Sequence, residues 1–257
     1  MELINGILTG FYDLDYAIKG LNKPKLIILV SRPAMGKSAF ALNIAVNVAV
    51  DDKIPVAIFS LELSKEQCIE RMITLKSEVA KSRNTNLNDE EMIKVKGTIE
   101  ELSEANVFID DSPAISINEI KAKCKKLKNE KNIGLIIIDY VQLIKDGKDK
   151  NICKELKNLS EELNVAIIVT SQLSRRPEER FKKGENPRPI LSDVNTSILK
   201  ESDVIILLYR EDYYNTDSEN KDIAELIIAK NKLGDTGTVK LLFKKECFKF
   251  QNLEANI

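Results

Sequence analysis

The stretch Ser31-Arg32-Pro33-Ala34-Met35-Gly36-Lys37-Ser38 decides the fold of this 257-residue chain. It follows the apolar run Leu26–Val30, and the helical pattern Ala39–Val50 comes directly after it. Gly-Lys-Ser between a buried strand and a helix is the setting of a phosphate-binding loop, in which backbone N–H groups converge on the anion. The first position holds Ser31, where the usual GxxxxGK[ST] pattern has glycine. The stretch therefore predicts a site for the phosphates of a nucleotide.

Two side chains at the end of this stretch suit nucleotide chemistry. Lys37 can reach the β- and γ-phosphate oxygens and is expected to act in catalysis, and the Ser38 hydroxyl is a ligand for Mg²⁺. We therefore expect ATP and Mg²⁺ as cofactors. The nucleotide-binding residues expected in the loop are Arg32, Pro33, Ala34, Met35, Gly36, Lys37 and Ser38.

Short apolar runs alternate with amphipathic stretches along most of the chain. Because these runs are continuously apolar, they are typical of parallel strands buried on both faces. Capping boxes indicate helix starts at Ser64 with Gln67 and at Ser116 with Glu119. The expected strands are Leu26–Val30, Val56–Phe59, Val107–Ile109, Leu135–Ile138, Ala166–Thr170 and Val204–Tyr209. This order predicts an α/β fold with a mostly parallel wound sheet flanked by helices.

The last part of the chain has a different pattern. Ala224–Lys230, Thr238–Lys244 and Cys247–Leu253 are strand-like and are separated by turns. They predict a C-terminal antiparallel meander on the edge of the sheet. Because the chain has no internal repeat and no low-complexity linker, we expect residues 1–257 to form a single domain.

Three polar side chains stand at the ends of expected strands. The phosphate-binding stretch also follows the end of an expected strand. Asp139 would hold Mg²⁺, Glu62 would polarise the attacking water, and Gln172 would hydrogen bond to the γ-phosphate. Taken singly, each side chain also fits an ordinary solvated residue at the end of a strand. Ligands of open α/β sheets lie outside the carboxyl ends of the strands, so four such ends together favour the site of a P-loop NTPase.

Composition excludes several kinds of site. The chain has no histidine, which removes Ser-His-Asp triads and imidazole acid–base chemistry. Its four cysteines form no CxxC pair, so we expect small, partly buried apolar residues rather than zinc ligands. A net charge of −1 predicts that any nucleic-acid site is a local patch or is assembled from several subunits. With no signal peptide and no apolar run near ~20 residues, we expect a cytoplasmic protein without a membrane partner.

A basic stretch at residues 175–188 is a candidate patch of this kind. Its residues Arg175, Arg176 and Arg180 are expected to contact the phosphates of single-stranded DNA. The glutamates interspersed with them equally fit a solvated loop with balanced charge. The stretch alone leaves both interpretations open.

Several motifs occur together, in the order in which one known family carries them. They are Thr9-Gly10-Phe11 with Asp13-Leu14-Asp15, Arg32–Ala45, Phe59–Ser64, Asp139–Leu143, Ser171–Arg175, Tyr209-Arg210, and Ala229-Lys230 with Gly234 and Thr236–Thr238. In this combination the chain resembles the ATPase domain of the replicative DNA helicase family DnaB over nearly its whole length.

The resemblance implies a RecA-like core that works as a ring-shaped homo-hexamer. ATP would lie at the subunit interfaces and single-stranded DNA in the central channel, with a primase or a helicase loader as a partner. Glu62 would be the catalytic base, Gln172 would couple the nucleotide to the DNA loops, and Arg210 would bind the nucleotide. Lys230 and Lys232 would point into the ATP of the neighbouring subunit.

The chain also departs from the family pattern. Lys232 stands where the family has an arginine finger, and lysine lacks the bidentate grip of arginine on a phosphoryl group. The segments Ile144–Asn151 and Leu191–Asp203 look shortened, although Asn195 and Thr196 in the second segment are expected to contact DNA. The start of the chain leaves no room for the N-terminal domain of the family, which we expect to be absent from it.

Three functions are compatible with these patterns. The first is an ATP-driven helicase that moves along single-stranded DNA and unwinds duplex DNA. The second is a nucleotide-dependent DNA-binding or helicase-loading factor with weak hydrolysis, which Lys232 and the shortened segments favour. A recombinase-type or clock-type relative fits the motifs less well. The complete set of phosphate-site residues predicts the helicase ATPase.

Overall fold

A computed structural model of the chain describes residues 4–80, 87–145, 152–215 and 217–253. The strands are β1 (Leu26–Ser31), β2 (Val56–Ser60), β3 (Val107–Asp110), β4 (Leu135–Asp139), β5 (Ala166–Gln172), β6 (Val204–Tyr209), β7 (Ile223–Asn231), β8 (Gly237–Lys244) and β9 (Lys249–Asn252). The helices are α1 (Tyr12–Ile18), α2 (Lys37–Val46), α3 (Lys65–Ser77), α4 (Asp89–Glu104), α5 (Ile117–Lys131), α6 (Ile152–Leu163), α7 (Arg176–Lys182) and α8 (Thr196–Glu201).

The strands form one nine-stranded sheet in the order β3-β2-β4-β5-β1-β6-β7-β8-β9. The six strands from β3 to β6 in this order are parallel, and the last three pair antiparallel. Every expected strand is present, and the expected mostly parallel sheet with an antiparallel end is confirmed. The C-terminal strand begins at Lys249 rather than at Cys247, because Lys245–Cys247 forms a 3₁₀ turn.

The continuously apolar strands bury both faces of the sheet, as their composition predicts. In β1, Ile27 and Leu29 pack into a core cluster with α1 and α2, whereas Leu26, Ile28 and Val30 pack into a second cluster with α5 and α6. Because successive side chains of a strand point to opposite faces, a central strand with helices on both sides needs apolar residues at every position.

Helix starts follow the predicted capping boxes. Ser64 caps α3 and Ser116 caps α5, each with its reciprocal Gln67 or Glu119 contact. The helix after the phosphate loop is α-helical only to Val46 and continues as a π-helical turn over residues 47–51. Among the described residues, no helix is both long enough and apolar enough to span a bilayer.

The direction of the strands separates two edges of the sheet. The carboxyl ends of β1, β2, β4, β5 and β6 lie at one edge, where Ser31 pairs with Gln172 and Ser60 pairs with Asp139 in register. Strand β7 runs back along β6 and ends beside Val204. Residues that follow β1, β2, β4, β5 and β6 therefore meet at one edge, and residues that follow β7 lie at the other.

Candidate nucleotide-binding site

The loop between β1 and α2 has the backbone geometry that a phosphate loop requires. Gly36 has φ 98°, in the left-handed region that favours glycine, and it caps the amino end of α2. A Cβ at this position would lie 3.1 Å from Phe250 Cζ and 3.3 Å from Phe243 Cζ. Both the backbone angle and the two rings behind the loop therefore require glycine here. The amino end of α2 presents unpaired backbone N–H groups, which favour an anion.

A cleft of about 470 Å³ lies along this loop. The predicted residues that line it are Arg32, Pro33, Ala34, Gly36, Lys37, Ser38, Glu62, Gln172 and Arg210. The side chain of Met35 is 1% exposed and packs into the core with α2. Only the backbone of Met35 is available to a ligand.

Lys37 and Asp139 face each other in the cleft. Lys37 Nζ lies 3.5 Å from Asp139 Oδ1 and 4.6 Å from the centroid of the Tyr140 ring. Thr170 donates its hydroxyl hydrogen to the same carboxylate oxygen, and Asp139 is 5% exposed. A buried carboxylate held by a hydroxyl and facing an ammonium group has a fixed orientation.

Glu62 and Gln172 complete the wall of the cleft. Glu62 and Tyr140 both line the cleft, and burial, together with the negative charges of Glu62 and Asp139, raises the pKa of Tyr140. The side chain of Gln142 bonds to the backbone of Gln172 through both amide atoms, at 3.2 and 3.3 Å. This pairing fixes the end of β5 and leaves the side chain of Gln172 at the cleft.

The oxygen donors at this site fit Mg²⁺. The Ser38 hydroxyl lines the cleft, and the Asp139 carboxylate lies within 3.5 Å of a residue that also lines it. Mg²⁺ commonly takes one or two protein ligands and completes its shell with phosphate oxygens and water. Within the described ranges, no group of three His, Cys, Asp or Glu side chains is arranged to hold a metal by itself. The donor set therefore suits a metal that arrives with a nucleotide.

Arg210 contacts the phosphate loop directly. It is 5% exposed, and its Nη1 donates to the Ala34 carbonyl oxygen at 3.4 Å. Nη2 lies 3.2 Å from Asp212 Oδ2, and the guanidinium carbon lies 4.9 Å from the centroid of the Phe243 ring. Lys245 shares the same Asp212 oxygen at 2.6 Å. The charge of Arg210 is therefore available to the loop from the side of the C-terminal strands.

Five aromatic or basic residues outside the predicted site also line the cleft. They are Arg71, Tyr140, Phe243, Lys245 and Phe248. Arg71 lies over the Phe248 ring, 5.0 Å from its centroid. Tyr140 follows Asp139 directly, so its position was the one predictable member of this set. Of the other four, Arg71 lies on α3, Phe243 lies on β8, and Lys245 and Phe248 lie between β8 and β9. No local pattern in the sequence joins them to the loop.

Lys230 and Lys232 lie at the opposite edge of the sheet. The Lys230 ammonium group bonds to the carbonyl oxygen of Leu199, and burial, together with the charge of Lys232, lowers its pKa. Lys232 Nζ lies 3.2 Å from Asp203 Oδ1, and its side chain is 48% exposed. Neither lysine lines the cleft of this chain.

Two of the residues predicted to bind DNA have hydrogen-bond partners within the fold. Both outer nitrogens of Arg180 bond to Asp193, at 2.9 and 2.8 Å. Asn195 accepts a hydrogen bond from the Ser197 backbone at 2.9 Å and caps α8. The donors of Arg180 are thus engaged within the fold, where they support the neighbouring turn, and its contact with DNA stays a prediction.

Arg175, Arg176 and Thr196 are exposed. Arg176 Nη1 donates to the Ser192 carbonyl oxygen at 2.7 Å. The expected contacts of these three residues with DNA stay a prediction. Of the first shortened segment, residues 146–151 lie outside the described part of the chain.

Known proteins are similar to this chain in sequence and in fold. The chain is 46% identical to the replicative DNA helicase DnaB of Geobacillus stearothermophilus, with 98% of this chain covered. It is 45% identical, with the same coverage, to the replicative DNA helicase DnaC of Bacillus subtilis strain 168. The chain spans 57% of the length of each of these relatives.

Two solved structures are similar to the whole described fold. One is described as an ATPase domain, with a TM-score of 0.91, 35% identity and coverage of 98% of this chain and 93% of that one. The other is a DnaB-like replicative helicase described with its interactions with primase, with a TM-score of 0.92, 35% identity and coverage of 98% and 63%. The family model described as the DnaB-like helicase C terminal domain matches residues 6–252. The chain therefore belongs to the DnaB-like helicase C-terminal domain family.

Proposed function

We propose that this chain is the ATPase domain of a replicative DNA helicase, which hydrolyses ATP to move along single-stranded DNA and unwind duplex DNA. The observation that best supports this function is the ion pair between Lys37 Nζ and Asp139 Oδ1, at 3.5 Å. Lys37 lines a cleft that Glu62 and Gln172 also line. A phosphate loop, an ammonium group, two carboxylates and an amide at one edge of a sheet match the requirements of phosphoryl transfer to water.

Each residue of the cleft has a separate part in this reaction. The loop N–H groups and Lys37 bind the β- and γ-phosphates, and Ser38 and Asp139 would hold Mg²⁺. When bound, the metal would neutralise phosphate charge. Glu62 accepts a proton from the attacking water, and Gln172 hydrogen bonds to the γ-phosphate. The backbone of Gln172 is hydrogen bonded to the side chain of Gln142, which fixes the end of the strand. The side chain of Gln172 therefore moves relative to a fixed backbone.

The proposed assembly follows from the separation of the two sheet edges. Lys230 and Lys232 do not line the cleft of their own subunit, which supports contacts with the ATP of a neighbouring subunit. We propose a ring-shaped homo-hexamer in which residues 1–257 form one RecA-like domain and single-stranded DNA passes through the channel. A similar solved helicase is described with its interactions with primase. Primase, or a helicase loader, is therefore proposed as a partner, in the cytoplasm.

The test is ATP hydrolysis with and without single-stranded DNA, beside a Lys37→Ala control and a Lys96→Ala control at an exposed lysine of α4. Turnover that rises with DNA and disappears only in Lys37→Ala supports the proposal. Tight ATP binding with negligible turnover under every condition, in a sample that forms rings on a sizing column, contradicts it.

A second candidate is a nucleotide-dependent DNA-binding or helicase-loading factor with weak hydrolysis. The observation that favours it is Lys232, which stands in place of an arginine finger and is paired with Asp203 in its own subunit. Arginine fingers contribute about 10³–10⁵ in rate, so a lysine held by a carboxylate supports slow turnover. This candidate predicts nucleotide-dependent DNA binding without unwinding.

A further inference from the structure

The Arg32 side chain ties the phosphate loop to α7. Its Nε pairs with Glu178 on α7, and its Nη1 donates to the Leu173 carbonyl oxygen at 2.7 Å. The Arg32 side chain is 12% exposed and that of Glu178 is 32% exposed, so water screens the pair less than a surface pair. Arg32 also lines the cleft, and no partner of its Nη2 is found in the described ranges. This nitrogen is available to a phosphate oxygen.

Glu178 has a second polar neighbour. Its Oε2 and the hydroxyl of Tyr214 are both buried, and neither has a hydrogen-bond partner within the part of the chain that the structure describes. Burial and the charge of Glu178 raise the pKa of Tyr214 to about 12, so the hydroxyl keeps its proton. A buried donor without an acceptor, near a carboxylate oxygen without a donor, gives Glu178 an alternative to Arg32. The Tyr214 hydroxyl is therefore a second partner to which the Glu178 carboxylate can turn.

The far side of α7 is fixed to a turn near the predicted DNA contacts. Arg180, two residues after Glu178, bonds to both oxygens of Asp193, whose side chain is 1% exposed. Asp193 also accepts from the Ile190 backbone at 2.9 Å, which closes the turn. The chain runs from this turn directly into Asn195. A displacement of α7 is thus transmitted to the turn through a bidentate, partly buried ion pair.

We propose that Glu178 is a positioning residue, which holds Arg32 at the wall of the cleft and transmits a phosphate contact of Arg32 through α7 and Arg180 to the turn before Asn195. The inference rests on the proposed function, in which ATP occupies this cleft. A phosphate that draws the guanidinium into the cleft weakens its bond to Glu178, and Glu178 turns to Tyr214. Because Glu178 and Arg180 lie in the same seven-residue helix, a displacement of α7 moves both.

A single tryptophan can report this movement, because the chain has none. Phe181 on α7 is 46% exposed, and its ring centroid lies 5.2 Å from that of Tyr214. In a Phe181→Trp protein, the hydrolysis-resistant ATP analogue adenylyl imidodiphosphate is expected to change the emission, and ADP to change it less. In Glu178→Gln the amplitude is expected to fall by about fivefold or more, in the range of measured couplings between sites.

Glu179→Gln is the matched control, since it removes the same charge from the next, exposed position of α7. It is expected to keep the full amplitude. Calorimetric titration of the analogue into each variant separates loss of the signal from loss of binding. The Glu178→Asp variant keeps the carboxylate one methylene shorter and is expected to give an intermediate amplitude, which provides the test if Glu178→Gln does not fold.

The second readout is the affinity for fluorescein-labelled oligo(dT) with the analogue and with ADP. The ratio of the two dissociation constants is expected to approach one in Glu178→Gln and to stay at the parent value in Glu179→Gln. An unchanged emission amplitude and ratio in Glu178→Gln would overturn the inference, and so would an emission that stays constant while the analogue binds. Failure of the proposed function gives a different result. The same protein would then show no ATP hydrolysis that depends on Lys37, whether or not its emission changes.

Discussion

Lys232 and Asp203 form an ion pair, with Nζ 3.2 Å from Oδ1, at the edge of the sheet opposite the phosphate loop. The other oxygen of Asp203 lies 2.8 Å from Lys157 Nζ and accepts the Leu26 backbone N–H at 3.0 Å. Burial alone would raise the pKa of Asp203, but these partners hold it below its ordinary value. The carboxylate therefore stays charged and keeps Lys232 oriented within its own subunit.

Lys232→Arg is expected to raise ATP turnover in the assembled ring by about tenfold or more. A guanidinium group can bond to Asp203 and to a phosphoryl oxygen at the same time, whereas an ammonium group offers only a point charge. The measurement is steady-state hydrolysis on fractions that a sizing column shows to be assembled. Lys240→Arg, the same exchange at an exposed position of β8, is the control and should leave turnover unchanged. Unchanged or lower turnover in Lys232→Arg would count against a weakened finger.

Glu62→Gln is expected to lower turnover by about 10²–10⁴ while ATP affinity changes by less than about twofold. The amide keeps the size of the side chain but cannot accept the proton of the attacking water at neutral pH. Turnover is compared with the binding of a fluorescent ATP derivative. Glu66→Gln, at an exposed position in the first turn of α3, is the matched control. An equal loss of turnover in both variants would show that Glu62 does not act as the base.

Arg180→Ala is expected to destabilise the fold by about 2 kcal/mol at pH 7, because it leaves the buried Asp193 carboxylate without its partner. Burial alone would raise the pKa of Asp193, but Arg180 and the Ile190 N–H hold it below 3.8. The stabilisation from a lowered carboxylate pKa is complete above the unfolded value and is lost as the pH falls through the folded value.

Urea unfolding at pH 7 and below pH 4 tests this expectation, since the difference between Arg180→Ala and the parent protein should shrink at the lower pH. Arg175→Ala, at an exposed position, is the control and should change stability by less than about 0.5 kcal/mol at either pH. A difference for Arg180→Ala that does not vary with pH would show that packing, rather than the ion pair, is responsible.

Gly36→Ala is expected to abolish ATP binding and to lower stability by about 1–3 kcal/mol, because an alanine at φ 98° is strained and its Cβ would press on Phe243 and Phe250. Gly97→Ala is the contrasting variant. Gly97 lies inside α4, where an added methyl group would meet no atom within 4 Å, so the exchange should raise stability by about 0.5–1 kcal/mol. Thermal unfolding with and without ATP measures both effects. Stability should fall in Gly36→Ala and rise in Gly97→Ala, and a change of the same sign in both variants would contradict the expectation.

The strands and the phosphate loop were predictable because their signals are local. Six continuously apolar runs and one loop motif were enough to indicate a parallel sheet and the edge where its ligand binds. The helix α4 was missed, although Asn88 and Glu91 form a capping box at its start, because few of its residues are buried and its apolar pattern is weak. A polar helix on the surface gives little periodicity to detect.

The partners of charged residues were the least predictable part. Arg180 and Asp193 are separated by 13 positions, whereas Arg32 and Glu178 are separated by 146. The sequence indicated a basic stretch but not which of its arginines are engaged within the fold. Side-chain pairing depends on how α7 packs against the phosphate loop, and no local propensity determines that packing.

The position of Lys230 and Lys232 has a consequence for symmetry. Strand β6 has six residues and separates these lysines from the nucleotide edge by roughly 20 Å. A contact that joins the two edges is therefore heterologous, because it uses a different surface on each partner. In every pair of subunits, one copy of each surface stays unused. A two-fold dimer cannot satisfy it. When the contact is repeated, the subunits either close into a ring or continue as an open helix. The rotation from one subunit to the next decides between the two.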